Sequence, residues 1–217
     1  MNPITYRRAN SADVEFIATA IFAADQSGTS KSAYCALFQL DENEFKEVIK
    51  SVLDMELEDC EFSLAAFCIA ESSGVPAGAS AAWIEGAQGI PSWQMKFTAF
   101  RYILPPEALH AFHQMQARVQ GIMPERTKGN LQIESVFVVD AFRGQGLVEG
   151  MIQQHAQWHE MASKPESKME LIAYDNNERA INAYEKLGFQ VVSRSKRSDS
   201  EIVEIYPSDG MVQMQKR

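Results

Sequence analysis

Residues 140 to 151, DAFRGQGLVEGM, hold two glycines one residue apart, Gly144 and Gly146, directly behind Arg143. A mostly apolar stretch, 133 to 139, precedes them, and an amphipathic pattern follows. Strand, glycine turn and helix start together make an anion cradle. The first N–H groups of a helix lack intrahelical acceptors, and the helix dipole favours negative charge there. Glycines let a phosphate approach the backbone closely.

Two familiar phosphate binders fit poorly. A dinucleotide unit needs G-x-G-x-x-G. Here the third glycine, Gly150, falls one residue late, although Asp175 does end the next apolar run. A Walker loop needs Gly-Lys-Ser/Thr after the turn, and none follows.

A second stretch, NERAINAYEKLGF from Asn177 to Phe189, completes a different pattern. Together with RGQGL it resembles the GNAT superfamily of N-acetyltransferases, specifically over residues 131 to 191. That family carries Gln/Arg-x-x-Gly-x-Gly/Ala on its pyrophosphate turn and an Asn-x-x-Ala…Tyr-Glu-Lys-x-Gly-Phe helix near the thioester. The resemblance implies acetyl-CoA as co-substrate and an amine of a small molecule or a protein as acceptor. It places the pyrophosphate on Arg143, Gly144, Gln145, Gly146, Leu147, Val148 and Glu149. It places the pantetheine arm on the backbone of Val136, Phe137 and Val138, with Asn177 at the arm or capping its helix. Val148, Glu149 and Asp140 depart from the family's usual residues, and the glutamate that some members carry on the strand before the Asn helix is Ile172 here.

An acceptor amine with a pKa near ~10 must lose a proton before it attacks, and a thiolate with a pKa near ~8.5 leaves more easily with a donor nearby. Tyr184 matches the family's tyrosine and is the candidate acid. Glu134 is the candidate base; strict strand alternation would put it on the same face as Val136 and Val138. His155 and His159 stand four apart on one helix, a spacing that can bind zinc. No Glu lies between them and no third ligand is evident, so no metal is expected; His110 and His113 belong to another helix.

These residues need a mixed α/β scaffold: a mostly antiparallel twisted sheet flanked by helices, with a splayed strand pair for the cofactor. ITYRR reads as a strand, followed by a helix capped by Asn10 or Ser11 with Val14, Ile17, Ile21 and Phe22 inward. DENEFKEVIKSVLDMEL reads as a helix burying Phe45, Val48, Ile49, Val52 and Leu53. EFSLAAFCIA and AGASAAWIEG read as strands joined by SSGVP. In residues 86 to 130, an insertion or substrate-side segment, Pro105-Pro106 opens a helix carrying Leu109, Phe112, Met115 and Val119. Beyond Leu131 the order is strand, turn, helix to about residue 162, strand, helix and two strands. One domain over 1–217 is the economical reading.

A net charge of −9 argues against nucleic acid or acidic membranes as partners and suits a cationic substrate. No run approaches the roughly 20 apolar residues of a membrane span, and MNPITYRRAN has no signal-peptide core. Cys35, Cys60 and Cys68, odd in number and without C-x-x-C spacing, point to a reducing cytoplasm. A homodimer is compatible with all of this. The competing functional class is a non-catalytic acyl-CoA-binding module that keeps the turn but no productive base.

Overall fold

The computed structural model describes residues 3–55, 57–119, 121–164, 166–197 and 202–217. Seven strands form one sheet in the order β1-β2-β3-β4-β5-β7-β6. They are β1 (Ile4–Arg8), β2 (Phe67–Ser72), β3 (Val75–Ile84), β4 (Leu131–Val138), β5 (Met169–Tyr174), β6 (Gln190–Lys196) and β7 (Gly210–Lys216). Every neighbouring pair is antiparallel except β4 and β5, as a mixed α/β fold of this kind requires.

On one face lie α1 (Val14–Gln26), α2 (Ala33–Phe38), α3 (Glu42–Leu53), α4 (Ser92–Ile103), α5 (Pro106–Val119) and the short α8 (Ile202–Ile205). They pack Ile17, Ile21, Phe38, Phe45, Ile49 and Phe100, together with Phe62 from the segment before β2, against Ala79, Ala81 and Trp83 of β3. On the other face, α6 (Leu147–Trp158) and α7 (Glu178–Lys186) cover Leu131, Ile133, Leu171, Val212 and Met214.

The local reasons are plain in the chain. Asn10 accepts from Ala12 N–H while Asp13 accepts from Asn10 N–H, so α1 is entered through a short 3-10 turn. Asp41 and Glu44 form the same reciprocal cap on α3. Helix α3 buries the five residues expected of it.

Three elements differ from the sequence reading. The run expected as a strand from Glu61 becomes one only at Phe67, after a 3-10 turn at Leu64–Ala66. Helix α6 stops at Trp158 rather than near residue 162. Residues 86 to 130 contain α4 besides the expected α5. Ala99, Phe100, Ala108 and Ala111 are buried in that segment, so it covers the core and also lines the site.

Strands β4 and β5 meet at only two pairs, Leu131↔Met169 and Gln132↔Glu170, and then part. The junction is fastened by Glu170. Its carboxylate accepts from Thr127 N–H (2.8 Å), Asn130 Nδ2 (3.1 Å), Gln132 Nε2 (3.0 Å) and Gln215 Nε2 (2.7 Å). Burial alone would raise its pKa, but these donors outweigh burial and lower it. Past this knot, the β5-facing edge of β4 has no ladder partner.

Gly150 has a packing reason. A Cβ there would overlap the hydroxyl and ring of Tyr6, which comes across from β1. Gly→Ala inside a helix ordinarily stabilises by up to about 1 kcal/mol. Here overpacking wins, and we expect Gly150→Ala to cost about 1–2 kcal/mol in denaturant unfolding. In a Tyr6→Ala background the same change should be neutral or stabilising.

Candidate active site

The two faces of the sheet communicate where β4 and β5 part. A cleft of about 1680 Å³ is lined on the α6 face by Gly144, Gly146, Leu147, Val148 and Tyr184. On the opposite face it is lined by Asp25, Tyr34, Glu61, Lys96, Arg126 and Glu134. It therefore passes through the gap left by the splayed strands.

At the α6 end, Gly144 and Gly146 have φ of 76° and 80°, and a Cβ on either would meet nothing within 4 Å. The positive φ explains why glycine stands there. Gly146 is the N-cap and offers no side-chain acceptor, and the first intrahelical bond runs from Gly150 N–H to Gly146 O (3.0 Å). The N–H groups of Leu147, Val148 and Glu149 thus lack helical acceptors and open toward the cleft mouth. An anion such as a pyrophosphate fits this uncapped cradle.

The neighbouring residues shape the cradle. Arg143 is ion-paired with Asp140 (2.5 Å) and donates from Nε to Val138 O (3.3 Å), so it fastens the turn to the end of β4. Gln145 donates from Nε2 to Ala141 O (3.1 Å). Val148 packs its branched side chain against the apolar cluster under α6. Glu149 is exposed and accepts from Gln153 Nε2 (3.2 Å), one turn down the helix.

The expected alternation along β4 fails, and with it the face assigned to Glu134. Ser135 has φ 51°, and the register with β3 slips there: Glu134 pairs with Ala81 and Phe137 with Ala79. Ala79 and Ala81 share a face, so Glu134 and Phe137 do too, while Val136 and Val138 point to α6. The bulge turns Glu134 away from the turn and into the opposite half of the cleft.

There Glu134 joins a buried network that the sequence reading missed. Arg126 donates to Glu134 and, at 3.2 Å, to Glu61. Lys96 pairs with Glu61 and donates to the Tyr34 hydroxyl (2.7 Å), which in turn donates to Glu61 (3.0 Å). Burial would raise Glu61, but Lys96 and Arg126 lower it. Glu134 is raised, by burial and by Glu61 against the pull of Arg126. One signal for this network was available: Trp93, Lys96, Phe97 and Phe100 share a helical stripe, and a lysine on an aromatic stripe needs a buried anion.

Tyr184 is half-buried, edge-on to Phe189 at 6.0 Å, and lines the cleft. Burial, with Glu134 adding to it, pushes its phenol well above the usual range. Asn177 caps α7, accepting from Ala180 N–H (3.1 Å), and donates from Nδ2 to Ser27 Oγ (2.7 Å) at the end of α1. Its second amide hydrogen and a second lone pair on Oδ1 are left for a ligand in the cleft. Ile172 packs with α2, α5 and α8.

The histidines do not converge. His155 is fully buried against β3, its Nε2 beside Ser80 O (3.1 Å) and Oγ (3.0 Å). The carbonyl can only accept, so Nε2 carries the hydrogen. His110 and His113 sit on α5, across the sheet. Burial, partly offset by the Ser80 bond, lowers His155 to about 3. An unfolded histidine titrates near ~6.5, so below that pH the unfolded chain binds the extra proton and stability falls. The penalty grows by about 1.4 kcal/mol per pH unit between ~6.5 and 3. His155→Gln should flatten that part of the stability profile relative to the wild type; identical slopes would contradict the burial of a neutral imidazole.

The model of the acetyltransferase (GNAT) family matches residues 34–189. The chain belongs to this family. The fold agrees: an N-acetyltransferase from Staphylococcus aureus Mu50 superposes with a TM-score of 0.66 at 16% identity, covering 98% of this chain and 100% of the other. An agmatine N-acetyltransferase mutant gives 0.56 at 13%, covering 98% of each chain. A putative acetyltransferase from Salmonella typhimurium, solved with acetyl-CoA, gives 0.54 at 16%, covering 99% of this chain and 94% of the other. No curated protein sequence matches the chain. In this GNAT acetyltransferase no described helix is long and apolar enough to cross a membrane.

Proposed function

We propose that this family member transfers an acetyl group from acetyl-CoA to an amine of a small molecule or a protein. The observation that carries the reading is the cleft itself. It joins an uncapped helix N-terminus on one face of the sheet to a buried carboxylate and phenol set on the other, through the gap between β4 and β5.

The backbone of residues 144 to 149 holds the pyrophosphate, and Arg143 keeps the turn in place. The free edge of Val136, Phe137 and Val138 aligns the pantetheine arm, with Asn177 fixing the start of α7 beside it. Acetyl-CoA supplies an acyl group already activated as a thioester. Glu134, raised toward neutrality by burial and Glu61, takes the proton of the acceptor amine. Tyr184 stays protonated at any working pH and donates to the departing sulfur. The free Cys35, Cys60 and Cys68 fit a reducing, cytoplasmic setting.

The test is thiol release from acetyl-CoA with a panel of amines, with the acetylated product identified by mass. Amine-dependent release supports the reading. Tight coenzyme A binding without release from any amine would leave an acyl-CoA-binding module instead.

A further inference from the structure

Three carboxylates line the acceptor half of the cleft, and two of them are matched by cations. Glu61 has Lys96 and Arg126; Glu134 has Arg126. The third, Asp25, stands near the end of α1 and accepts from the Ser32 hydroxyl and, at 3.4 Å, from Tyr34 N–H. Among the described residues no lysine or arginine pairs with it. Burial raises Asp25 to about 6 against the pull of these donors, of the Lys96 charge beyond ion-pair distance and of Ala33 N–H, so it remains mostly ionised at neutral pH at a cost that a closer cation would relieve.

The surroundings suit a cation. Tyr174 and Tyr206, whose rings lie 6.3 Å apart, line the same cleft. Phenol rings attract ammonium groups through their faces. Tyr34 donates its N–H to Asp25 (3.4 Å) and its hydroxyl to Glu61 (3.0 Å), and Glu61 shares Arg126 with Glu134, so one connected set of groups carries all three carboxylates.

We propose that Asp25 anchors a second positive charge on the acceptor, so that the preferred substrate is a diamine or a similar dication rather than a monoamine. This rests on the acetyltransferase reading: one nitrogen reacts beside Glu134 while the other stays charged at Asp25. Asp25 is a specificity-determining group and takes no part in proton transfer.

Calorimetry with putrescine and butylamine, on protein holding coenzyme A so that no turnover occurs, tests this. Putrescine should bind about 10- to 100-fold tighter than butylamine, as expected of a hydrogen bond between charged groups. Asp25→Asn should erase that advantage while leaving butylamine and coenzyme A affinities unchanged. Equal wild-type affinities for the two amines overturn the proposal, whether or not the variant folds. So does an Asp25→Asn loss that falls on both amines alike. If coenzyme A fails to bind, the acetyltransferase reading falls; putrescine titrated alone against wild type and variant still decides the role of Asp25.

Discussion

Gly146→Glu should lose coenzyme A affinity by about 1000-fold or more while the protein stays folded. A Cβ at this position meets no protein atom within 4 Å and starts the side chain into the space proposed for the pyrophosphate. It also brings a negative charge to a site built for one. Two or three charge-assisted hydrogen bonds at about 1.5–3 kcal/mol each account for a loss of that size. The backbone φ of 80° adds strain for any residue with a Cβ. Gly146→Asn is therefore the control: asparagine tolerates positive φ and is neutral, so it should weaken binding much less. Unchanged affinity in a folded Gly146→Glu protein would remove the turn from the binding site.

Tyr184→Phe carries the second large effect. The substitution removes one hydroxyl and keeps the ring against Phe189. General acid catalysis contributes typically ~10²–10⁴-fold, so turnover should fall by about that factor. Coenzyme A affinity should stay close to wild type, because the turn and the β4 edge are untouched. The deficit should shrink with an acyl donor whose thiol has a lower pKa and leaves without a proton. Wild-type turnover in the variant would make Tyr184 a packing residue. Joint loss of binding and stability would make it a structural one.

The readable parts of this chain were those whose physics is local. The cap at Asn10, the stripe of α3, the hairpin between β2 and β3, and the strand–turn–helix unit around Gly144 all lie within a few residues of their causes. Helix α4 carried a helical stripe, Trp93, Lys96, Phe97 and Phe100, but its start was not readable because its cap is remote. Pro91 offers no side-chain acceptor, and the Glu85 carboxylate takes the Ser92 N–H (2.9 Å) and hydroxyl (2.6 Å) instead. Helix α2, six residues long, is too short to show a period.

The site divides in the same way. The turn announced itself through glycine spacing, but the face of Glu134 depended on a bulge at Ser135, a position whose residue type carries no bulge signal. The Glu61–Lys96–Arg126 network draws on three separate segments, and only the fold brings them together. Asp25 owes its character to burial and to having no ion-pair partner among the described residues, neither of which a sequence displays.

Hydrogen–deuterium exchange with and without acetyl-CoA tests the central claim most directly. The amides of Leu147, Val148 and Glu149 have no helical acceptor, so they should exchange quickly in the free protein and slowly once a pyrophosphate accepts from them. Protection should appear together at residues 136 to 138, where the free edge of β4 gains the pantetheine arm. Protection confined to these two stretches, and lost in Gly146→Glu, is the predicted result. Saturating acetyl-CoA that leaves both stretches unprotected, or that protects a different surface, would contradict the account.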